Sequence, residues 1–248
     1  MAENAFFYNF TTHSGYTYQH SNIMSKYDDK IIFKPTEFSY INPNAEIVIV
    51  GITPGNSQLA NSREGKSMRE IKRENAFAGN MRPNLIAMLD HIGINTLLHI
   101  ESCSTLWTDD FDKVDMTSLL MDATYVINKN GKEEMFKDTS KIFKSPKLSN
   151  MLNNGFKKNC DSYTNVKLYI ACGPGVYTIL KQLQDDKVIS VPVVGIAHPS
   201  GANMGRIQKY LGKGTNSLDD SYVWCEEKSN EAQEIITALI DNENGANS

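Results

Sequence analysis

Cysteine is scarce and scattered in this 248-residue chain. Cys103, Cys160, Cys172 and Cys225 stand 57, 12 and 53 positions apart, so no pair has the close spacing of a zinc or iron–sulfur site. The five histidines are equally dispersed, and no two of them stand at the three- or four-residue spacing that would put a pair of imidazole ligands on one helix face. Reduced thiols, no metal, no iron–sulfur cluster and no cofactor are the expectation. Long apolar runs are also lacking. The longest, Ile47 to Ile52 and Val191 to Ala197, are strand-length, well short of the roughly 20 residues a bilayer requires. The N-terminus has no basic start, apolar centre and small-residue cleavage site, so a cytoplasmic protein with no membrane span is expected. No G-x-G-x-x-G follows the first strand, which disfavours a dinucleotide oxidoreductase. The residues around Ser200, AHPSG, are not the G-x-S-x-G elbow of a serine hydrolase.

What is present has an ordinary globular composition, with 40% hydrophobic and 22% charged residues. The net charge of −4 is unevenly spread. Eight acids and one lysine in residues 219–248 leave that tail at −7, whereas residues 1–218 sum to +3. A polyanion partner is therefore not excluded by the acidic total, because phosphate responds to the local field of the binding face.

Short β-branched runs alternate with amphipathic stretches. EIVIVG (46–51), TLLHI (96–100), VKLYIA (166–171) and VPVVGIA (191–197) read as buried strands. Residues 83–92 and 175–183 carry apolar positions at helical spacing, and Glu226 to Asp241 closes the chain as an amphipathic helix. This alternation predicts an α/β fold, a three-layer α/β/α sandwich around a short, mainly parallel four-stranded sheet. One domain over residues 1–248 is expected. It has an edge-wrapping extension at 1–44 with a short helix near Ser21 to Lys30, and an insertion at 106–158. That insertion holds a hairpin at Asn130-Gly131 and a helix near Lys147 to Lys158. An acidic helix and tail follow at 219–248.

Ligands of open parallel sheets bind beyond the carboxyl ends of the strands. Three Gly- and Pro-containing loops fall there: GITPGNSQ (51–58), CGPG (172–175) and HPSGAN (198–203). Any one of them could be only a turn. As an ordered set, GITPG followed by HPSGAN is similar to the paired motifs of the uracil-DNA glycosylase superfamily. The stretch from Phe77 through Gly93 resembles that family's segment in which an aromatic residue precedes a small-Gly pair and the first long helix. The resemblance covers about residues 46–210.

It implies a hydrolase that cleaves the N-glycosidic bond of uracil or another damaged or deaminated base in single- or double-stranded DNA. Cleavage develops negative charge on the departing base and positive charge on the sugar, and a base inside a duplex must first be flipped into a pocket. By resemblance, Phe77 stacks on the base, and Gly51, Ile52, Thr53, Pro54 and Gly55 line the pocket. His198 donates to the departing base oxygen, while Ser200 and Asn203 hold phosphate. Set beside these roles are plainer ones: Phe77 as core packing, His198 as a loop cap, and Ser200 as a turn or N-cap residue.

The chain also departs from the family. Active members usually carry Asp or Asn where Thr53 stands, though some branches manage without any side chain there, and a hydroxyl with no shifted partner is no general base near neutral pH, so the catalytic role left to Thr53 is to position a water. The base-reading Asn aligns with Ser102 or Glu101, and Ser102 lacks the paired donor and acceptor of an amide. The wedge position is Ala202, with Met204 the nearest apolar substitute. These departures keep open an alternative function, a catalytically silent module of the same fold that binds a base, nucleotide or nucleic acid.

Overall fold

The computed structural model describes residues 8–11, 17–20, 28–36, 40–55, 66–214 and 219–246. The strands in chain order are β1 (Tyr8–Thr11), β2 (Thr17–His20), β3 (Ile31–Lys34), β4 (Ile47–Gly51), β5 (Val114–Ser118), β6 (Ala123–Ile127), β7 (Glu133–Met135), β8 (Leu168–Cys172) and β9 (Val193–Ile196). The helices are α1 (Met68–Asn75), α2 (Met81–His91), α3 (Ile94–Leu97), α4 (Pro146–Leu152), α5 (Lys158–Cys160), α6 (Pro174–Asp185), α7 (Met204–Tyr210) and α8 (Asp220–Ala246). The described residues fall into two compact units.

One unit comprises residues 42–50, 76–116 and 164–248. The four-stranded sheet runs in the order β5-β4-β8-β9, and β4, β8 and β9 are parallel, with Val50 opposite Ala171 and Cys172 opposite Ile196. Glu46 N–H donates to the Lys113 carbonyl and Leu119 N–H to that of Gly51, so β5 runs parallel to β4 as well. Ile47, Val48, Ile49 and Val50 are all fully buried, as expected of a parallel strand covered on both faces. The architecture is an α/β sandwich. Gly195 in β9 lets α6 and α8 close on the sheet, because a Cβ there would sit 3.0 Å from the Tyr177 ring and 3.1 Å from that of Trp224. Helix α8 turns a seam of Cys225, Ser229, Ala232 and Ile236 inward, and it begins six residues before the expected Glu226.

The stretch expected as a strand at 96–100 is not one. Ile94, Leu97 and Leu98 are buried at helical spacing in and just after α3, which Gly93 enters at φ 86. The fourth strand is β5, VDMTS, whose polar Asp115 and Thr117 masked its apolar content.

The other unit comprises residues 1–41, 51–75 and 117–163. Here β3 pairs antiparallel with β6 and β6 with β7. The expected turn at Asn130-Gly131 joins β6 to β7, with Gly131 at φ 74, a conformation that favours glycine. The expected helix near 147–158 appears as α4, a π-helical turn over Asn153–Lys157, and α5. Ser145 caps α4 by accepting from Leu148 N–H, with Pro146 at the first turn. Of the short helix expected near residues 21–30, positions 21–27 lie outside the described residues, and Asp28–Lys30 form one 3-10 turn.

Candidate functional site

The loop after β9 carries His198, Ser200 and Asn203. It is seated from three sides. Gly173, at φ 99 in the loop after β8, donates its N–H to the Ile196 carbonyl at 2.8 Å. A Cβ on Gly173 would meet His198 Cβ at 3.5 Å, but the backbone conformation itself favours glycine there. From α2, Asn84 Nδ2 donates to the Pro199 carbonyl at 2.8 Å. Within the loop, Ser200 N–H donates to His198 Nδ1 at 3.3 Å. A neutral imidazole that accepts at Nδ1 carries its proton on Nε2, so the local backbone selects the tautomer able to donate from Nε2. The ring is half-buried.

Ser200 and Asn203 form one local network. The Ser200 carbonyl accepts from Asn203 N–H and its hydroxyl from Asn203 Nδ2, each at 2.9 Å. Asn203 Oδ1 accepts from Arg206 Nη1 at 2.8 Å, and Arg206 Nε donates to Ser221 Oγ at 2.9 Å. Gly201, Ala202, Met204, Gly205 and Arg206 are exposed. Met204, at 42%, is one of two large hydrophobic side chains exposed among the described residues. The segment from His198 to Lys213 contains no acid of its own, and Glu226 of α8 lies against it, pairing with Lys209 Nζ at 2.8 Å.

Phe77 is not a core residue. Its side chain is half-buried and its backbone sits at φ 51, an outlier for a bulky residue. What holds it there is the preceding carbonyl: Ala76 O accepts from Trp107 Nε1 at 3.0 Å and Arg82 Nη2 at 3.2 Å. Arg82 itself lies 5.2 Å over the Trp107 ring. Strain of this kind persists only where the surroundings over-determine it, and it concentrates at functional positions.

Ser102 has a structural occupation. Its hydroxyl donates to Asp90 Oδ2 at 2.8 Å and accepts from Ser104 N–H at 3.2 Å, capping the 3-10 turn Cys103–Trp107. Cys103 N–H donates to the other Asp90 oxygen at 2.7 Å. Burial raises the Cys103 and Cys172 thiols well above the usual range and pushes Cys225 up to about 11, which leaves these three as packing residues and not nucleophiles.

The loop Gly51 to Gly55 belongs to the other unit, where it is zipped to residues 119–124. The Gly51 and Ile52 carbonyls accept from Leu119 and Leu120 N–H, both at 3.0 Å. Thr53 Oγ1 continues the ladder as a side chain: it donates to the Asp122 carbonyl and accepts from Thr124 N–H, both at 2.9 Å. Its hydrogen is thus committed, and one lone pair remains for a water. Pro54 is buried and Gly55 half-buried.

Sequence reasoning gave no role to Asn84, Arg82, Trp107 or Asp90, although these side chains hold the 76–77, 102–103 and 199–200 backbone. Among the described residues no group of three or more His, Cys, Asp or Glu could hold a metal ion, and no helix is long and apolar enough to cross a membrane.

No family model matches the chain. Among solved structures, the crystal structure of wild-type Pedobacter heparinus SMUG2 is similar at a TM-score of 0.43 and 12% identity, covering 80% of this chain and 77% of that one. Among curated proteins, the uncharacterized protein YoxB of Bacillus subtilis (strain 168) is 30% identical over 185 residues, 69% of this chain and 71% of YoxB. With identity at that level across more than two thirds of each protein, the chain belongs to the YoxB family.

Proposed function

We propose that this protein is a DNA glycosylase-like hydrolase of the cytoplasm that removes uracil or another deaminated or damaged base from DNA. In that reaction the C1′–N bond breaks with its electron pair leaving on the base, water oxygen bonds to C1′, and the water proton passes to solvent. The catalytic demand is to stabilise the departing anion. The observation that carries the proposal is the His198 ring, whose Nδ1 accepts from Ser200 N–H and whose proton therefore resides on Nε2. Such a ring donates to a developing base oxyanion without itself needing a charge. Phe77, held half-exposed at φ 51, supports the reading as a stacking face. Ser200 and Asn203 on the loop after β9 and Arg206 in the first turn of α7 support phosphate contact, and exposed Met204 supports a wedge that fills the space a flipped base vacates.

A second reading, a silent module that binds a base or nucleic acid, is favoured by one specific observation. Both hydroxyls that the resemblance aligns with reactive or base-reading positions, Thr53 and Ser102, are engaged with Asp122, Thr124, Asp90 and Ser104. The test is a panel of single- and double-stranded oligonucleotides carrying uracil, hypoxanthine, xanthine or a mismatched pyrimidine, incubated with excess protein and scored for abasic sites. Product from any of them is the expected result. Binding without product selects the silent module, and neither binding nor product removes both readings.

A further inference from the structure

The peptide unit between Pro199 and Ser200 is held at both ends. Its oxygen accepts from Asn84 Nδ2 on α2 at 2.8 Å, and its N–H donates to His198 Nδ1 at 3.3 Å. A hydrogen bond at the oxygen of a peptide strengthens the N–H of the same peptide as a donor, since the group polarises as a unit. It also fixes the plane. Proline locks φ of residue 199, so the remaining freedom is rotation about the bonds flanking the peptide, and Asn84 removes it from outside the loop. Ser200 sits at φ −65 and ψ 145, an unstrained extended conformation, so nothing in the loop's own backbone would hold that plane by strain.

We infer that Asn84 is a positioning residue for His198: through the 199–200 peptide it sets the rotation of the imidazole and keeps its proton on Nε2. The inference rests on the proposed role of His198 as donor to the departing base, and it adds a side chain 115 positions away from Pro199 to that machinery. The same stretch of α2 serves Phe77 separately, through the bond from Arg82 to the Ala76 carbonyl, so the loss of Asn84 perturbs the histidine loop alone.

A tether with no influence on the ring would tie helix to loop equally well, so the test reads the ring itself. The full chain is labelled with 15N-histidine, and the His198 signals are assigned by their loss in His198→Ala. In the parent, Nδ1 is expected to show the shift of an unprotonated, hydrogen-bonded nitrogen and Nε2 that of a protonated one. In Asn84→Asp, which keeps the shape but cannot donate, and in Asn84→Ala, the two shifts should converge toward the tautomer mixture of a solvated imidazole. On a substrate found by the oligonucleotide panel, turnover should fall about 5- to 10-fold with KM unchanged, as loss of one neutral hydrogen bond implies. Variants that fold, by circular dichroism and urea midpoint, but keep parental His198 shifts overturn the inference. So does a parent whose His198 already shows a tautomer mixture, whether or not the variants fold. If the shifts respond while no oligonucleotide yields an abasic site, the positioning role stands and base removal fails.

Discussion

Replacing Phe77 by glycine separates a stacking ring from a core ring by the order of two stabilities. A fully buried phenylalanine cut to alanine costs about 3–5 kcal/mol. Phe77 is half-buried, so losing its ring should cost only about 1–1.5 kcal/mol, half the usual burial term. Its φ of 51 adds a second effect. An L side chain in the left-handed region costs roughly 1–2 kcal/mol, which glycine recovers and alanine does not, against about 0.5–1 kcal/mol for the extra freedom of glycine in the unfolded chain. Phe77→Gly should therefore unfold within about 1 kcal/mol of the parent and be no less stable than Phe77→Ala, a reversal of the usual order. Both variants should weaken binding to an oligonucleotide with a modified base by about 1–3 kcal/mol, the usual worth of one base–aromatic stack. Urea midpoints and fluorescence anisotropy measure the two quantities. A loss of 3 kcal/mol or more in stability with binding intact, or an alanine variant clearly more stable than the glycine one, would refute the reasoning.

Two further outcomes are expected. Gly195→Ala drives a methyl to 3.0 Å from Tyr177 and 3.1 Å from Trp224, so it should destabilise by about 1–3 kcal/mol, and a variant with an unchanged melting midpoint would contradict the packing of α6 and α8 on β9. At the junction of α2 and α8, burial and the nearby Lys213 charge hold His91 below its usual 6.5, so the folded state favours the neutral ring. The unfolded chain then binds the proton more readily, and stability, complete above about pH 6.5, should decline as pH falls below it. His91→Gln should flatten that part of the profile, and an unchanged slope in urea titrations from pH 7.5 to 5 would show that His91 is not its source.

Much of the sheet was legible because a parallel strand buried on both faces has a sequence signature, and IVIVG, LYIAC and VVGI carry it. The second strand was misplaced because TLLHI has the composition of a strand, while burial of Ile94, Leu97 and Leu98 follows a helical period that five residues cannot display. The true strand, VDMTS, buries Asp115 and Thr117. Of the site, the HPSGAN loop stood out because a histidine followed by proline, serine and glycine at a strand end is unusual. Hydroxyls were harder to read: Thr53 and Ser102 sit where a ligand contact is plausible, but short polar side chains bond nearby backbone just as readily, and the structure engages both that way. Asn84 had no signal at all, since a single asparagine on a helix says nothing about a carbonyl 115 positions on.

The most direct test of base removal is single-turnover abasic-site formation by the parent and by His198→Ala on the same oligonucleotide, with DNA affinity measured alongside. Donation to the departing base acts only in the transition state, so the account predicts a rate lower by about 10²- to 10³-fold in the variant and nearly equal affinity. Equal rates, or tight binding with no abasic product from either protein, would contradict it.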